Sequence, residues 1–192
     1  MRLTVLTGLY VGIVVMAQVG TNKIVDVPFT DLTAPGGTFL IGIALAMIEL
    51  AHRTAPGRRA GFVNAQVMVA CGWAASALLA AYLAILNVMS PDDPLFDRLA
   101  GTWRIVAGSL VAFAISETID NTFGAWLRDR VPDAARVVAT NAVSVPLDSV
   151  VFLLIAFGSL EFIEGQIVVK YAATVLVGVP LVLALRRYVR PR

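Results

Sequence analysis

Four ionisable side chains stand inside long apolar runs, where a charge is costly: Glu117 and Asp120 in one run, Asp148 in the next, and Lys170 in the one after that. A fifth, Glu49, lies near the end of a shorter run. A charge at the centre of a bilayer costs on the order of 3 kcal/mol even on lenient insertion scales, so such groups face a protein interior or a wet cavity and are read first as functional. Their neighbours support one shared interior. Ser116 and Asp120 are four apart and share a helical face, which Glu117 borders. Asn141, Ser144 and Asp148 recur at helical spacing as a polar stripe, and Pro146 within that stripe frees a backbone carbonyl. Freed backbone groups at membrane depth are tolerated where they line a cavity or a protein interior. A polar stripe that coincides with a helix break has the pattern of a binding site.

Each residue also has a plainer reading. Lys170 can snorkel outward, Asp148 can pair structurally with a neighbouring helix, and Glu49 can be an interfacial carboxylate beside Arg53. With Lys170 about four residues into its run and Asp148 about ten from either end of its own, the helical rise separates them by roughly 9 Å in depth. A direct pair then needs helix tilt.

The elements that must position these groups follow from composition. Of 192 residues, 58% are hydrophobic and 15% are charged, and the mean hydropathy is +0.82. Soluble domains carry about a quarter charged residues; here there are too few to cover a water-facing surface. Apolar runs cover residues 3–20, 36–50, 62–87, 102–126, 137–158 and 166–185 approximately. A hydrocarbon core of ~30 Å needs roughly 20 helical residues, so the second run is short. Arg2 precedes the first run, but no small-x-small cleavage site follows cleanly, and the run is kept as a span rather than a signal peptide.

Arginine alternates from loop to loop. Arg2, then Arg53, Arg58 and Arg59, then Arg128, Arg130 and Arg136, then Arg186, Arg187, Arg190 and Arg192 fall on one side. The other side holds Asp26 and Asp31, then Asp92, Asp93 and Asp97, then Glu161 and Glu164, with Lys23, Arg98 and Arg104 as its few cations. The positive-inside rule reads this as both ends cytoplasmic. The expected fold is an all-α integral membrane protein, a six-transmembrane-helix bundle, N-in and C-in, forming a single transmembrane domain over 1–192.

Several classes are disfavoured. Cys71 is read as a small core residue, and His52 sits in a basic loop with no second ligand, so no metal or cofactor is expected. The pI near 9.0 reflects arginines placed by topology, not a nucleic-acid-binding face. The loops are too short for an ATP-hydrolysing domain, and no Walker-type loop is present. No Ser–His pair or other catalytic set appears, so an intramembrane enzyme is disfavoured. A membrane scaffold would tolerate neutral replacements of Asp120 and Asp148. Trp103, Trp126, Tyr171 and Tyr188 read as interfacial anchors. Gly8 and Gly12 have the spacing of a close helix-packing motif, a weak sign of a homodimer.

In the last three runs the order Ser116-Glu117-x-x-Asp120, Thr140-Asn141, Asp148-Ser149, Ala156-Phe157-Gly158 and Gly165-Gln166-x-x-x-Lys170 resembles the VUT family of vitamin-uptake or queuosine-precursor transporters. Asn22-Lys23 and Ala34-Pro35-Gly36-Gly37 fit more loosely. One departure is that Ile48 precedes Glu49, where closer members often carry a basic residue. The resemblance implies a transporter in the bacterial inner (plasma) membrane that imports a queuosine precursor, a 7-deazapurine such as 7-cyano-7-deazaguanine. Glu117, Asp120, Asn141, Ser144 and Asp148 are then expected to line the substrate site, with Gln166 and Lys170 at its outer side. Glu49, Ser116, Phe123 and Phe152 are secondary candidates, and Phe113 is a further ring able to stack on a purine plane. Membrane lipid is an expected partner and nucleic acid is not. Another vitamin-like substrate, or a role as the substrate-binding subunit of an ATP-driven system with an energising partner, stays open.

Overall fold

The computed structural model describes residues 2–89, 103–185 and 187–189. Asp92, Asp93, Asp97 and Arg98 of one predicted loop, and Arg186, Arg190 and Arg192 of the tail, lie outside the described residues. Helix α1 (Leu3–Thr21) leads into a hairpin of β1 (Ile24–Asp26) and β2 (Thr33–Pro35). The strands are antiparallel, with Ile24 opposite Pro35, Val25 opposite Ala34 and Asp26 opposite Thr33. A 3-10 turn (Gly36–Leu40) then feeds α2 (Ile41–Ala51), followed by α3 (Arg58–Met89), α4 (Trp103–Leu127) and α5 (Asp133–Ala156). The last helix, α6, runs Ile163–Leu185 and contains a π-helical segment at Thr174–Gly178.

Among the described residues four stretches, Leu3–Thr21, Arg59–Leu86, Ala134–Ala156 and Ile163–Leu185, are long and apolar enough to cross a membrane by length and composition. The chain is thus an all-α, multi-pass membrane protein. Helix α4 has the length, with 25 residues, but Glu117, Asp120 and Asn121 interrupt its apolar character. The second predicted span is an apolar stretch, Gly36–Ala51, shorter than the others.

The shortness of α2 has a structural reason. Gly42 and every residue from Ala44 to Ala51 are buried, and α2 packs against α1, α3, α4, α5 and α6. A helix that is apolar all round belongs in an interior, and one wrapped by protein need not span the hydrocarbon on its own. Leu6, Tyr10 and Val14 of α1 and Met68 of α3 pack with Met47, Ile48 and Leu50 of α2 as the main apolar cluster. The outward faces are apolar too: Leu9, Met16, Leu78, Ile85, Leu154 and Leu176 are all exposed, as lipid contact requires. Cys71, read from sequence as a core residue, is exposed on α3. In a bilayer an apolar run alone does not tell interior from lipid face.

Two glycines set the helix spacing around the site. A Cβ on Gly37 would strike the Ala17 carbonyl and the Thr21 hydroxyl, and one on Gly42 would strike the Ala173 carbonyl at the edge of the π segment. The 3-10 turn therefore lies directly on the end of α1, and α2 crosses α6 backbone to backbone. Gly8 and Gly12, by contrast, face open space within the chain.

Candidate functional site

The interior of the bundle carries a column of buried polar groups in three tiers. The uppermost is a partly open cavity of about 70 Å³, lined by residues from α1, the 3-10 turn, α2, α4, α5 and α6. Its chemistry comes from Gln18 and Thr21 of α1, Thr38 of the turn, Phe113 of α4, Phe152 of α5 and Gln166 of α6. Asp148 and Lys170 also line it. The lining residues all sit in the halves of their helices nearer the hairpin.

Asp148 and Lys170 form a salt bridge, with Lys170 3% exposed. The Lys170 ammonium also donates to Ser149 Oγ at 3.0 Å, and Ser116 Oγ donates to Asp148 Oδ1 at 3.1 Å. The depth gap expected from the sequence closes because both helix ends shift. Helix α5 ends at Ala156, eight residues past Asp148. Helix α6 begins at Ile163, seven residues before Lys170. The two side chains therefore stand at matching depth, and Lys170 does not snorkel outward.

Below the ion pair lies a void of about 10 Å³ lined by Ser116, Glu117, Ser144, Asp148 and Lys170 together with Ile41, Leu45 and Val145. That is the size of a single water site. Glu117 is almost fully buried, and its Oε2 has no hydrogen-bond partner among the described residues. The Tyr10 hydroxyl is adjacent to it. Ser144 Oγ donates to Asp120 Oδ1 at 3.2 Å, and Asn141 Nδ2 donates to Thr174 Oγ1 of the π segment at 3.0 Å. Pro146 lies inside α5 between Asn141 and Asp148.

The third tier closes the end away from the hairpin. Arg136 is completely buried and ion-paired with Glu49, its Nε donating to Glu49 Oε2 at 2.7 Å. Arg53, one turn after Glu49, approaches the same carboxylate at 4.0 Å. Glu49 is therefore an interior group, not an interfacial carboxylate. Arg136, assigned from sequence to a loop, lies inside α5, which starts four residues earlier than the apolar run suggests. Glu49 thus has its basic partner on a different helix, α5. Close by, His52 is buried with neither ring nitrogen hydrogen-bonded among the described residues. Burial, and secondly the Arg128 guanidinium, push its pKa down to about 4, so the ring is neutral near neutral pH.

Of the residues expected at the site, the structure brings Ser116, Glu117, Ser144, Asp148, Phe152, Gln166 and Lys170 onto the walls of the two spaces. Asp120 is held behind Ser144, and Asn141 bonds Thr174 and lines neither space. Glu49 stands apart in the third tier. Phe123 stacks on Trp126 with ring centroids 5.7 Å apart and lines neither space. Gln18, Thr38, Tyr10, Thr174 and Arg136 went unrecognised in the sequence. Gln18 carried a readable signal, a carboxamide inside an apolar run four residues after the interior position Val14.

No curated protein and no solved structure gives a significant match to the chain. A family model described as "Putative vitamin uptake transporter" matches residues 35–185, from the end of β2 through α6. Helix α1 and most of the hairpin precede the matched stretch. With more than half its length matched, from α2 with its buried acid to α6 with Lys170, the chain belongs to this vitamin uptake transporter family.

Proposed function

We propose that the protein imports a queuosine precursor, a neutral 7-deazaguanine such as 7-cyano-7-deazaguanine, across the bacterial plasma membrane. In this reading the chain is one transmembrane domain of six spans with both ends cytoplasmic, which the alternation of arginines among its loops supports.

The observation that carries the proposal is the Asp148–Lys170 pair at the floor of the cavity. An ammonium is a donor only and a carboxylate an acceptor only. Side by side they present one donor next to two acceptor oxygens. The Watson–Crick edge of a 7-deazaguanine is the complement, with a carbonyl acceptor followed by a ring N–H and an exocyclic amine. Hydrogen bonds with an ionised partner are about twice as strong as neutral ones, so this edge gains most from meeting both charges. Phe113 and Phe152 on the cavity walls supply faces for a flat ring. A void of 70 Å³ holds on the order of five waters on the same volume measure, comparable to a small bicyclic heterocycle.

The test uses cells that cannot synthesise 7-cyano-7-deazaguanine and lack their own carrier. With the compound supplied, expression of this protein restores queuosine in tRNA. No restoration, with the protein present in the membrane, overturns the substrate assignment and redirects the search to other neutral vitamin-like heterocycles.

A further inference from the structure

We infer that Gln18 of α1, which lies before the stretch matched to the family, determines substrate specificity by hydrogen-bonding the edge of the heterocycle turned away from the Asp148–Lys170 pair. The inference rests on the proposed heterocycle site and deepens it.

Helix α1 buries Leu6, Tyr10, Val14, Gln18 and Thr21. The first four recur every four residues and form one inward stripe. That stripe is apolar or aromatic until it reaches the depth of the cavity, and there it becomes a carboxamide. Gln18 is 5% exposed, and its Oε1 has no hydrogen-bond partner among the described residues. Its Nε2 has Ser76 Oγ of α3 at 3.5 Å, the outer limit of a hydrogen bond. Glutamine as helix-to-helix glue in a membrane is expected to be fully engaged, because unsatisfied amide groups in an apolar surround are costly. Gln18 is not. It lines a cavity instead.

The rest of the cavity points to what it would engage. Gln166, across the bundle on α6, is 3% exposed and likewise leaves its Oε1 without a partner among the described residues. It lies one turn before Lys170 and so shares that residue's helical face. The Thr21 hydroxyl is spent on the Ala17 carbonyl at 2.8 Å. Two carboxamides on opposing helices thus retain hydrogen-bonding capacity around a floor where one positive and one negative charge are paired. A paired floor favours an uncharged ligand. A carboxamide offers acceptor and donors together, so it recognises amide, lactam or aminopyrimidine edges rather than phosphate or carboxylate. With Gln166 beside the ion pair and Gln18 across from it, Gln18 meets the far edge, which in a 7-deazaguanine includes the pyrrole N–H.

The test measures ligand-induced thermal stabilisation of the purified full-length protein in detergent. The panel is 7-cyano-7-deazaguanine, its 9-methyl analogue, guanine, xanthine and pterin. Gln18→Met keeps the side-chain length and removes the polar group. It is expected to keep the ligand-free melting temperature, to weaken 7-cyano-7-deazaguanine about tenfold, the size of one good hydrogen bond, and to lose discrimination against the 9-methyl analogue. Ser76→Ala removes the α3 hydroxyl near Gln18 and should leave affinity within about twofold. Equal affinities for wild type and Gln18→Met overturn the inference, as does a Ser76→Ala loss as large as that of Gln18→Met, which would mark Gln18 as structural glue. If Gln18→Met does not fold, Gln18→Leu, which likewise removes the acceptor oxygen and keeps an apolar side chain, carries the same selectivity test. Wild type that binds guanine, xanthine or pterin but not the deazapurine, and loses that binding in Gln18→Met, supports the inference while the deazapurine reading falls. Wild type that binds no member of the panel overturns it.

Discussion

At the scale of single residues, the buried acids differ in their partners. Asp148 has Lys170 and Ser116 as partners, and Asp120 has Ser144. Replacing Asp148 with asparagine keeps the shape and removes the acceptor charge, so uptake is expected to be abolished while the protein still reaches the membrane folded. Normal transport by Asp148→Asn, scored as tRNA queuosine, would rule out the ion pair as the recognition element. The Glu49–Arg136 pair supports a prediction about stability. Removing one partner of a buried pair costs about 3–5 kcal/mol, whereas replacing both can be nearly neutral. Arg136→Met alone is therefore expected to lower the melting temperature in detergent sharply, and Glu49→Gln with Arg136→Met to recover most of the loss; Arg53 at 4.0 Å softens the single-variant effect. His52 adds a pH dependence. Its folded pKa is about 4 against about 6.5 unfolded, so between those values the unfolded chain binds a proton that the folded chain refuses. Stability then falls as pH drops through that window, by up to about 3 kcal/mol. Thermal melts from pH 7 to pH 4 should show a steeper loss in wild type than in His52→Asn.

At the scale of elements, hydropathy made most of the architecture readable, because a bilayer demands long apolar helices. The predicted runs differ from the observed helices by only a few residues. Those few residues mattered all the same. They decided whether Lys170 could reach Asp148 and whether Arg136 stood in a loop or in α5. The hairpin was not legible, since β1 and β2 are three residues each and carry too few positions to show alternation. Nor was the π segment at Thr174–Gly178, which arises where α6 meets the backbone of α2 at Gly42 and so depends on a tertiary contact. π-Helical segments often mark functional sites, and this one presents Thr174 to Asn141. Gly42→Ala is expected to push α2 off α6 at this crossing and cost about 1–3 kcal/mol, the usual penalty of overpacking. An unchanged melting temperature in that variant would show that the helices separate freely there.

At the scale of the whole molecule, the polar column is open at one end and closed at the other. The cavity lies in the half that carries the hairpin. The opposite half is sealed by Glu49 with Arg136 and by apolar packing of Ala46, Val137 and Val182. A carrier that exposes its site to one side at a time needs one such closed end in each state; under the proposed topology, with both termini cytoplasmic, the open half of this structure faces outward. This can be tested by thiol accessibility in a Cys71→Ser background. Single cysteines at Thr38 and Ser109, which line the cavity, are expected to react with a membrane-impermeant reagent added outside intact cells and to be protected by 7-cyano-7-deazaguanine. A cysteine at Ala46, buried in the packed opposite half, should not react. If opening toward the cytoplasm requires breaking the Glu49–Arg136 pair, then Glu49→Gln with Arg136→Met should lower labelling at Thr38 by shifting the population away from the outward-facing form. Labelling of Thr38 only from the cytoplasmic face of inverted vesicles would reverse the assigned orientation and, with it, the direction of the pathway. Unchanged labelling in the double variant would show that the ion pair is structural packing and that the closed end is held by its apolar contacts alone.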